Sequence, residues 1–153
     1  MAIALTSSAF SEGAAIPRRH ACNGENLSPA LSWQKSAMAV KSYALIVEDP
    51  DAPSGTFVHW VLFNIPPDLT QLPEGVVAKP DVPGIGRQGI NDTQTHGYYG
   101  PCPPPGKPHR YFFKIFAIDR ILDLPGDCTA LQLRQAIQSH LSDSGSLMGT
   151  YHR

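Results

Sequence analysis

Two stretches concentrate acids, histidines and prolines where a strand connection needs none of them. In the first, Asp49-Pro50-Asp51-Ala52-Pro53-Ser54-Gly55-Thr56 separates two apolar runs, and His59 lies just inside the second run. In the other, Gly100-Pro101-Cys102-Pro103-Pro104-Pro105-Gly106-Lys107-Pro108 leads into a third apolar run that opens His109-Arg110-Tyr111. A short Asn-Gly or Asp-Gly turn would close a hairpin. A carboxylate held beside an imidazole can orient the ring, fix its tautomer or take part in proton transfer. A single histidine on an apolar strand face is more often a hydrogen-bonded core residue. Asp49 and Asp51 could equally bond their own backbone as turn formers. The repetition of one unit, a stiff loop followed by a histidine, tips the reading toward a site.

Other motifs fail on context. Gly84-Ile85-Gly86-Arg87-Gln88-Gly89 fits the dinucleotide fingerprint G-x-G-x-x-G literally. No strand is expected before it and no helix after it, as that fingerprint requires. There is no G-x-S-x-G and no P-loop. The histidines and aspartates lack the close spacing that marks a metal site. No cofactor or metal is expected, and no catalytic residue either, since no activated nucleophile is evident for catalysis. Cys102, among prolines, is read as an incidental thiol more readily than a reactive one.

The elements that must position these residues are mostly strands. Residues 41–48 and 57–64 are short apolar runs rich in β-formers, apolar on both faces and therefore central. Pro66 and Pro67 end the second. Residues 109–118 form a third strand. On a period of two, His59 shares a face with Phe57, Val61 and Phe63, and His109 shares one with Tyr111, Phe113 and Ile115. If both loops open at the same end, His59, His109 and Tyr111 floor one cavity. Residues 1–40 read as irregular, with Asn26, Ser28 and Pro29 in a turn and Trp33 as a core anchor. Residues 65–108 read as a long Gly/Pro-rich segment, a length that usually carries function. The spacing of Leu133, Ile137 and Leu141 predicts a helix over 129–141, capped by Asp127 or Thr129. The tail from Ser146 is a last short strand. Strands without βαβ alternation predict antiparallel sheets packed as a sandwich, in a single domain over residues 1–153.

Composition narrows the function classes. With 153 residues, 42% hydrophobic and a net charge of −1, the chain can bury one sizeable core and carries no basic field for nucleic acid. No apolar run is long enough to span a membrane. The first residues lack the basic and apolar regions of a signal peptide. The three cysteines, Cys22, Cys102 and Cys128, form no CxxC, and their odd number favours reduced thiols in a cytoplasm. There is room for one internal disulfide, and whether Cys22 meets Cys128 is open. Asn26-Leu27-Ser28 and Asn91-Asp92-Thr93 are then chance glycosylation patterns.

The stretches NGENLSPALSW, KSYALIVEDPDAPSGTFVHWVLFNIP and GYYGPCPPPGKPHRYFFKIFAID resemble the phosphatidylethanolamine-binding protein family, which includes the Raf kinase inhibitor proteins. The resemblance runs from about Phe10 to Tyr151 and is nearest to the bacterial and archaeal branch. It implies a mostly β fold of two antiparallel sheets in a Greek-key sandwich, with one or two short helices. It also implies a small anion pocket built from Asp49, Asp51, Pro53, His59, Gly100, Pro101, His109 and Tyr111. A cis peptide before Pro53 and weaker stacking at Phe57 follow from the same likeness. The function expected is non-catalytic binding of phosphorylated ligands or phospho-headgroups. In that site His109, Tyr111 and N–H groups of the Gly100 loop would donate to a phosphate, and an aspartate would orient His59. By resemblance the protein regulates a kinase or protease, and a homodimer partner could cover the pocket mouth. The alternatives are a hydrolase using the Asp/His pocket and a pure protein-interaction scaffold.

Overall fold

The computed structural model describes residues 2–153. The three strong apolar runs become β3 (Ser42–Asp49), β4 (Phe57–Ile65) and β8 (His109–Ile118), which lie side by side with β3 in the middle. Every residue of β3 is buried, as an apolar run flanked on both edges and covered on both faces must be. The sheet extends on one side through β7 (Gly86–Gln88) and β6 (Asp81–Val82), and on the other through β9 (Leu141–Tyr151), giving the order β6-β7-β4-β3-β8-β9. A second sheet, β1 (Leu5–Thr6), β2 (Leu31–Trp33) and β5 (Gln71–Leu72), covers one face. All strand pairings in both sheets are antiparallel. The helix α1 (Ala130–Ile137) covers the other face.

Two apolar clusters divide the large sheet. Tyr43, Leu45, Val47, Trp60, Leu62, Tyr111 and Phe113 pack with Trp33 on the small-sheet side. Ala44, Ile46, Val61, Phe63 and Ile118 pack with Leu133 and Ile137 on the helix side. Thr129 caps α1: its hydroxyl accepts from Gln132 N–H, and the Gln132 side chain accepts from Thr129 N–H. Among the described residues no helix is long and apolar enough to cross a membrane.

Several expectations change. The helix stops at Ile137 and not at Leu141, because Leu141 pairs with Ile118 and begins β9. β9 is therefore an eleven-residue strand, not a short tail. Residues 1–40, expected to be irregular, supply two of the three strands of the small sheet. The refused Gly84–Gly89 motif lies in the β6–β7 hairpin, with no helix after it. His59 does not share a face with Val61 and Phe63. Val47 pairs with Trp60 but Glu48 pairs with Val58, so His59 is the extra residue of a β-bulge. The bulge turns His59 and Trp60 to the same side, and the alternation restarts one residue out of phase.

Candidate functional site

The β3–β4 connection and the start of β8 meet at one end of the sheet, as the two-loop reading requires. Between them lies a cavity of about 420 Å³, lined by Asp49, Ala52, Pro53, Phe57, His59, Asp92, Thr93, Tyr99, Cys102, Pro103, Pro104, His109 and Tyr111. The structure thus brings together five of the eight expected residues: Asp49, Pro53, His59, His109 and Tyr111.

The other three stand behind the wall. Asp51 accepts from Arg110 three times, from the backbone N–H, Nε and Nη2, each at 2.9 Å. It is a clamp between the loop and β8, and the guanidinium holds its carboxyl down at about 2. The Gly100 N–H is donated to Asn26 Oδ1 at 2.7 Å and is not free for an anion. Gly100 has no room for a Cβ, which would strike the His20 carbonyl. The Pro101 carbonyl accepts from Cys22 N–H. The peptide before Pro53 is trans, there being no cis bond among the described residues. The loop turns instead at Gly55, whose φ of +104° suits glycine and whose N–H bonds the Ala52 carbonyl.

Asp49 is buried and uses both oxygens. Oδ1 accepts from Asp51 N–H and Oδ2 accepts from His109 Nδ1, both at 2.7 Å. It is a turn former and a histidine partner at once, but its histidine is His109 and not His59. His59 is positioned by backbone: its Nδ1 lies 2.6 Å from the Tyr99 carbonyl. A carbonyl can only accept, so Nδ1 carries the proton and Nε2 of the neutral ring is an acceptor. The ring stacks on Tyr99 at 5.9 Å, meets the Tyr111 ring edge-on at 5.3 Å and lies 4.8 Å from Phe57. Burial lowers the His59 pKa, against the opposing pull of the Tyr99 carbonyl and the Asp49 and Asp92 charges.

Tyr111 is 1% exposed, and its hydroxyl has no hydrogen-bond partner. Burial first, and then the Asp49 charge, push its pKa well above the ordinary value, so it keeps its proton. An unpaired buried hydroxyl costs about 1–3 kcal/mol.

The sequence reading missed Asp92, Thr93 and Tyr99 as wall residues. Asp92 Oδ2 accepts from Val58 N–H, and the Thr93 hydroxyl donates to Asn91 Oδ1. Asn91 and Asn26 head the two glycosylation-like triplets; the Asn91 side chain is an internal hydrogen-bond hub, and Asn26 accepts from Gly100 N–H. The Asn-Asp-Thr composition signalled a turn of this kind. Cys102 is neither free nor incidental. It forms a disulfide with Cys22, so the expectation of reduced thiols fails for this pair, as does a Cys22–Cys128 bond. Cys128 is the buried free thiol, its pKa pushed up to about 11 by burial. Among the described residues no cluster of three His, Cys, Asp or Glu could hold a metal ion.

The comparisons with known proteins agree with one another. The model of the family described as phosphatidylethanolamine-binding protein matches residues 6–152. A UPF0098 protein of Methanothermobacter thermautotrophicus is 46% identical over 149 residues, covering 97% of this chain and 98% of its own. A UPF0098 protein of Chlamydia muridarum is 40% identical over 154 residues, with 97% and 98% covered. Among solved structures, a phosphatidylethanolamine-binding protein homologue from Chlamydia trachomatis superposes with a TM-score of 0.89 at 39% identity, covering 99% and 98% of the two chains. E. coli YbcL, described as a new member of the mammalian family, gives 0.91 at 29% identity over 100% and 99%.

Proposed function

This chain belongs to the phosphatidylethanolamine-binding protein family, and on that premise we propose that its cavity binds a small phosphorylated ligand or phospho-headgroup without turning it over. The observation that carries the reading is the Tyr111 hydroxyl, a buried donor without a hydrogen-bond partner, on a residue of the cavity wall beside the Asp49–His109 pair. A phosphate oxygen there would accept from Tyr111 and from the far nitrogen of His109 once that ring is charged.

The same geometry favours a ligand that brings its own proton. Asp49 and Asp92 both line the cavity and repel a dianion. Neutral His59 offers a lone pair, not a donor, to the incoming group. A phosphate monoester loses its second proton near pH ~6. Binding therefore strengthens as pH falls through that range, while affinity rising with pH would refute the arrangement. The test is calorimetric titration of inorganic phosphate and phosphoethanolamine at acidic and neutral pH, with His109→Ala alongside. Saturable binding lost in the variant is the expected result. No heat at either pH would overturn the proposal.

The absence of turnover belongs to this proposal, and two wall residues support it: the Thr93 hydroxyl is held by Asn91 and Cys102 is in a disulfide, so neither offers the cavity an activated hydroxyl or thiol. One observation favours a hydrolase as the second reading: Asp49 orients His109 in the manner of a general base. Hydrolysis of an aryl phosphate that is abolished by His109→Ala would establish it. A phosphorylated segment of a kinase or protease would present the same group to the cavity, the route by which a regulatory role would follow. Cytoplasmic placement is likewise part of the proposal, and the Cys22–Cys102 bridge bears on it. Disulfides persist in oxidising compartments and are seldom stable in a reducing cytosol. In a cytoplasm this bridge would be exchangeable.

A further inference from the structure

The wall from Tyr99 to Pro108 has an unusual problem of attachment. Five of its ten residues, Pro101, Pro103, Pro104, Pro105 and Pro108, have no N–H. Backbone hydrogen bonding, the usual way to hold a loop, is largely closed to it. Its first part is nevertheless well fastened: Tyr99 N–H bonds the His59 carbonyl, Gly100 N–H bonds Asn26, and the Pro101 carbonyl accepts from Cys22. Beyond Pro101 the fastenings thin out. They are the Cys22–Cys102 disulfide, Arg153 Nε donating to the Pro103 carbonyl at 2.6 Å, and a longer Gly106 N–H contact to the Arg153 carbonyl at 3.3 Å. Yet Cys102, Pro103 and Pro104 are cavity wall. The bridge joins residues 80 apart in sequence, and both cysteines are half-buried, within reach of a small thiol.

We infer that Cys22–Cys102 is a thiol–disulfide exchange site that sets the order of the cavity wall, with a dithiol reductant as its substrate class. A thiolate of the dithiol attacks one sulfur of the bridge. The S–S bond breaks, a mixed disulfide forms, and the other cysteine leaves as a thiolate. The reductant's second thiolate then displaces the protein sulfur. Two electrons pass to the protein, the two protons lost by the dithiol end on Cys22 and Cys102, and the reductant leaves as its own disulfide. Residues 99–101 keep their hydrogen bonds, whereas 102–108 keep the Arg153 contacts and the packing of buried Pro103 but lose their covalent tie. The wall then loosens, and a ligand must order it on binding. Cys128 takes no part, being buried and a weak acid.

The inference rests on the cavity being the ligand site for its consequence, but not for its mechanism, and two measurements separate the parts. The first is hydrogen exchange on oxidised protein, on protein reduced with dithiothreitol, and on the double variant carrying Cys22→Ser and Cys102→Ser. Opening of the wall should speed exchange at position 102, the half-buried amide at the bridge, by about tenfold or more while Tyr99 and Gly100 stay protected. Unchanged exchange, or a bridge that dithiothreitol reduces only in denaturant, overturns the inference whatever binds. The second is affinity for inorganic phosphate in the same three samples, with Cys128→Ala as control. Reduction and the double variant should weaken binding about tenfold through the added ordering cost, and the control should not. Equal affinity with faster exchange overturns the coupling to the cavity. Absence of phosphate binding in every sample counts against the proposed function, and also denies the coupling, while the exchange result still decides the mechanism.

Discussion

Glu48 and Asp49 are neighbours on one strand and face opposite sides of the large sheet. Glu48 is satisfied twice over: Lys114 Nζ reaches Oε1 and Arg134 Nη2 reaches Oε2, both at 2.6 Å. Those cations tie α1 and β8 to β3, and nothing is left for a ligand. Asp49 has no permanent cation. It has one imidazole, one backbone N–H and a cavity. A buried carboxylate is costly unless it is paired. The helix side meets that cost with fixed charges, and the loop end leaves it partly unmet beside an unsatisfied tyrosine hydroxyl. This contrast separates a structural carboxylate from one kept available for chemistry.

The largest test of the contrast is His109→Leu. It leaves Asp49 buried without its partner, which should destabilise the protein by about 3 kcal/mol in denaturant unfolding and abolish phosphate binding. An unfolding midpoint equal to the parent's would mean that Asp49 never depended on His109. Next comes Tyr111→Phe, where stability and binding should move in opposite directions. Removing a hydroxyl that has no partner should stabilise the ligand-free protein by about 1 kcal/mol, while phosphate affinity falls. A destabilised variant would show that the hydroxyl has a partner in solution and would remove the main support for the site. Glu48→Gln should cost about 1 kcal/mol or less, because Lys114 and Arg134 both reach water. It should leave phosphate binding unchanged. A binding defect there would dissolve the distinction between the two faces.

The strands that build this contrast were legible in the sequence, but the facing of one key residue was not. The boundaries of β3, β4 and β8 follow from apolar runs ended by Pro, Asp or loop residues. Period two then places Tyr111 and Phe113 correctly, because β8 pairs without a break as far as Ala117. Period two misplaces His59, since a bulge depends on which residues pair across strands and single-strand periodicity carries no record of it. Asp51 and Asp49 looked alike in sequence. Only the tertiary position of Arg110 makes one a clamp and the other a site residue. The small sheet was missed because β1, β2 and β5 are two or three residues long, too short to show alternation. The disulfide partner of Cys22 is likewise set by a contact across 80 residues.

The smallest expected effect concerns the clamp that holds the loop in place outside the cavity. Arg110 bonds lower the Asp51 pKa from 3.8 to about 2. The carboxylate is thus favoured more strongly in the folded state than in the unfolded chain. Its contribution is fully present above the unfolded value and is lost as pH falls from about 4 through about 2. Wild type and Asp51→Asn should therefore differ in stability at neutral pH and converge near the lower limit, the pair being solvent-exposed and the difference small. Added salt should narrow the gap at neutral pH by screening the same charges. A gap that persists unchanged at pH ~2 would mean that Asp51 acts through packing and not through charge. The clamp would then belong with the structural residues in a different sense from Glu48. If the gap closes as expected, both acids beside Asp49 are explained by their cations. Asp49 is then left as the carboxylate of the three whose partner, a histidine at the cavity wall, can itself gain and lose charge.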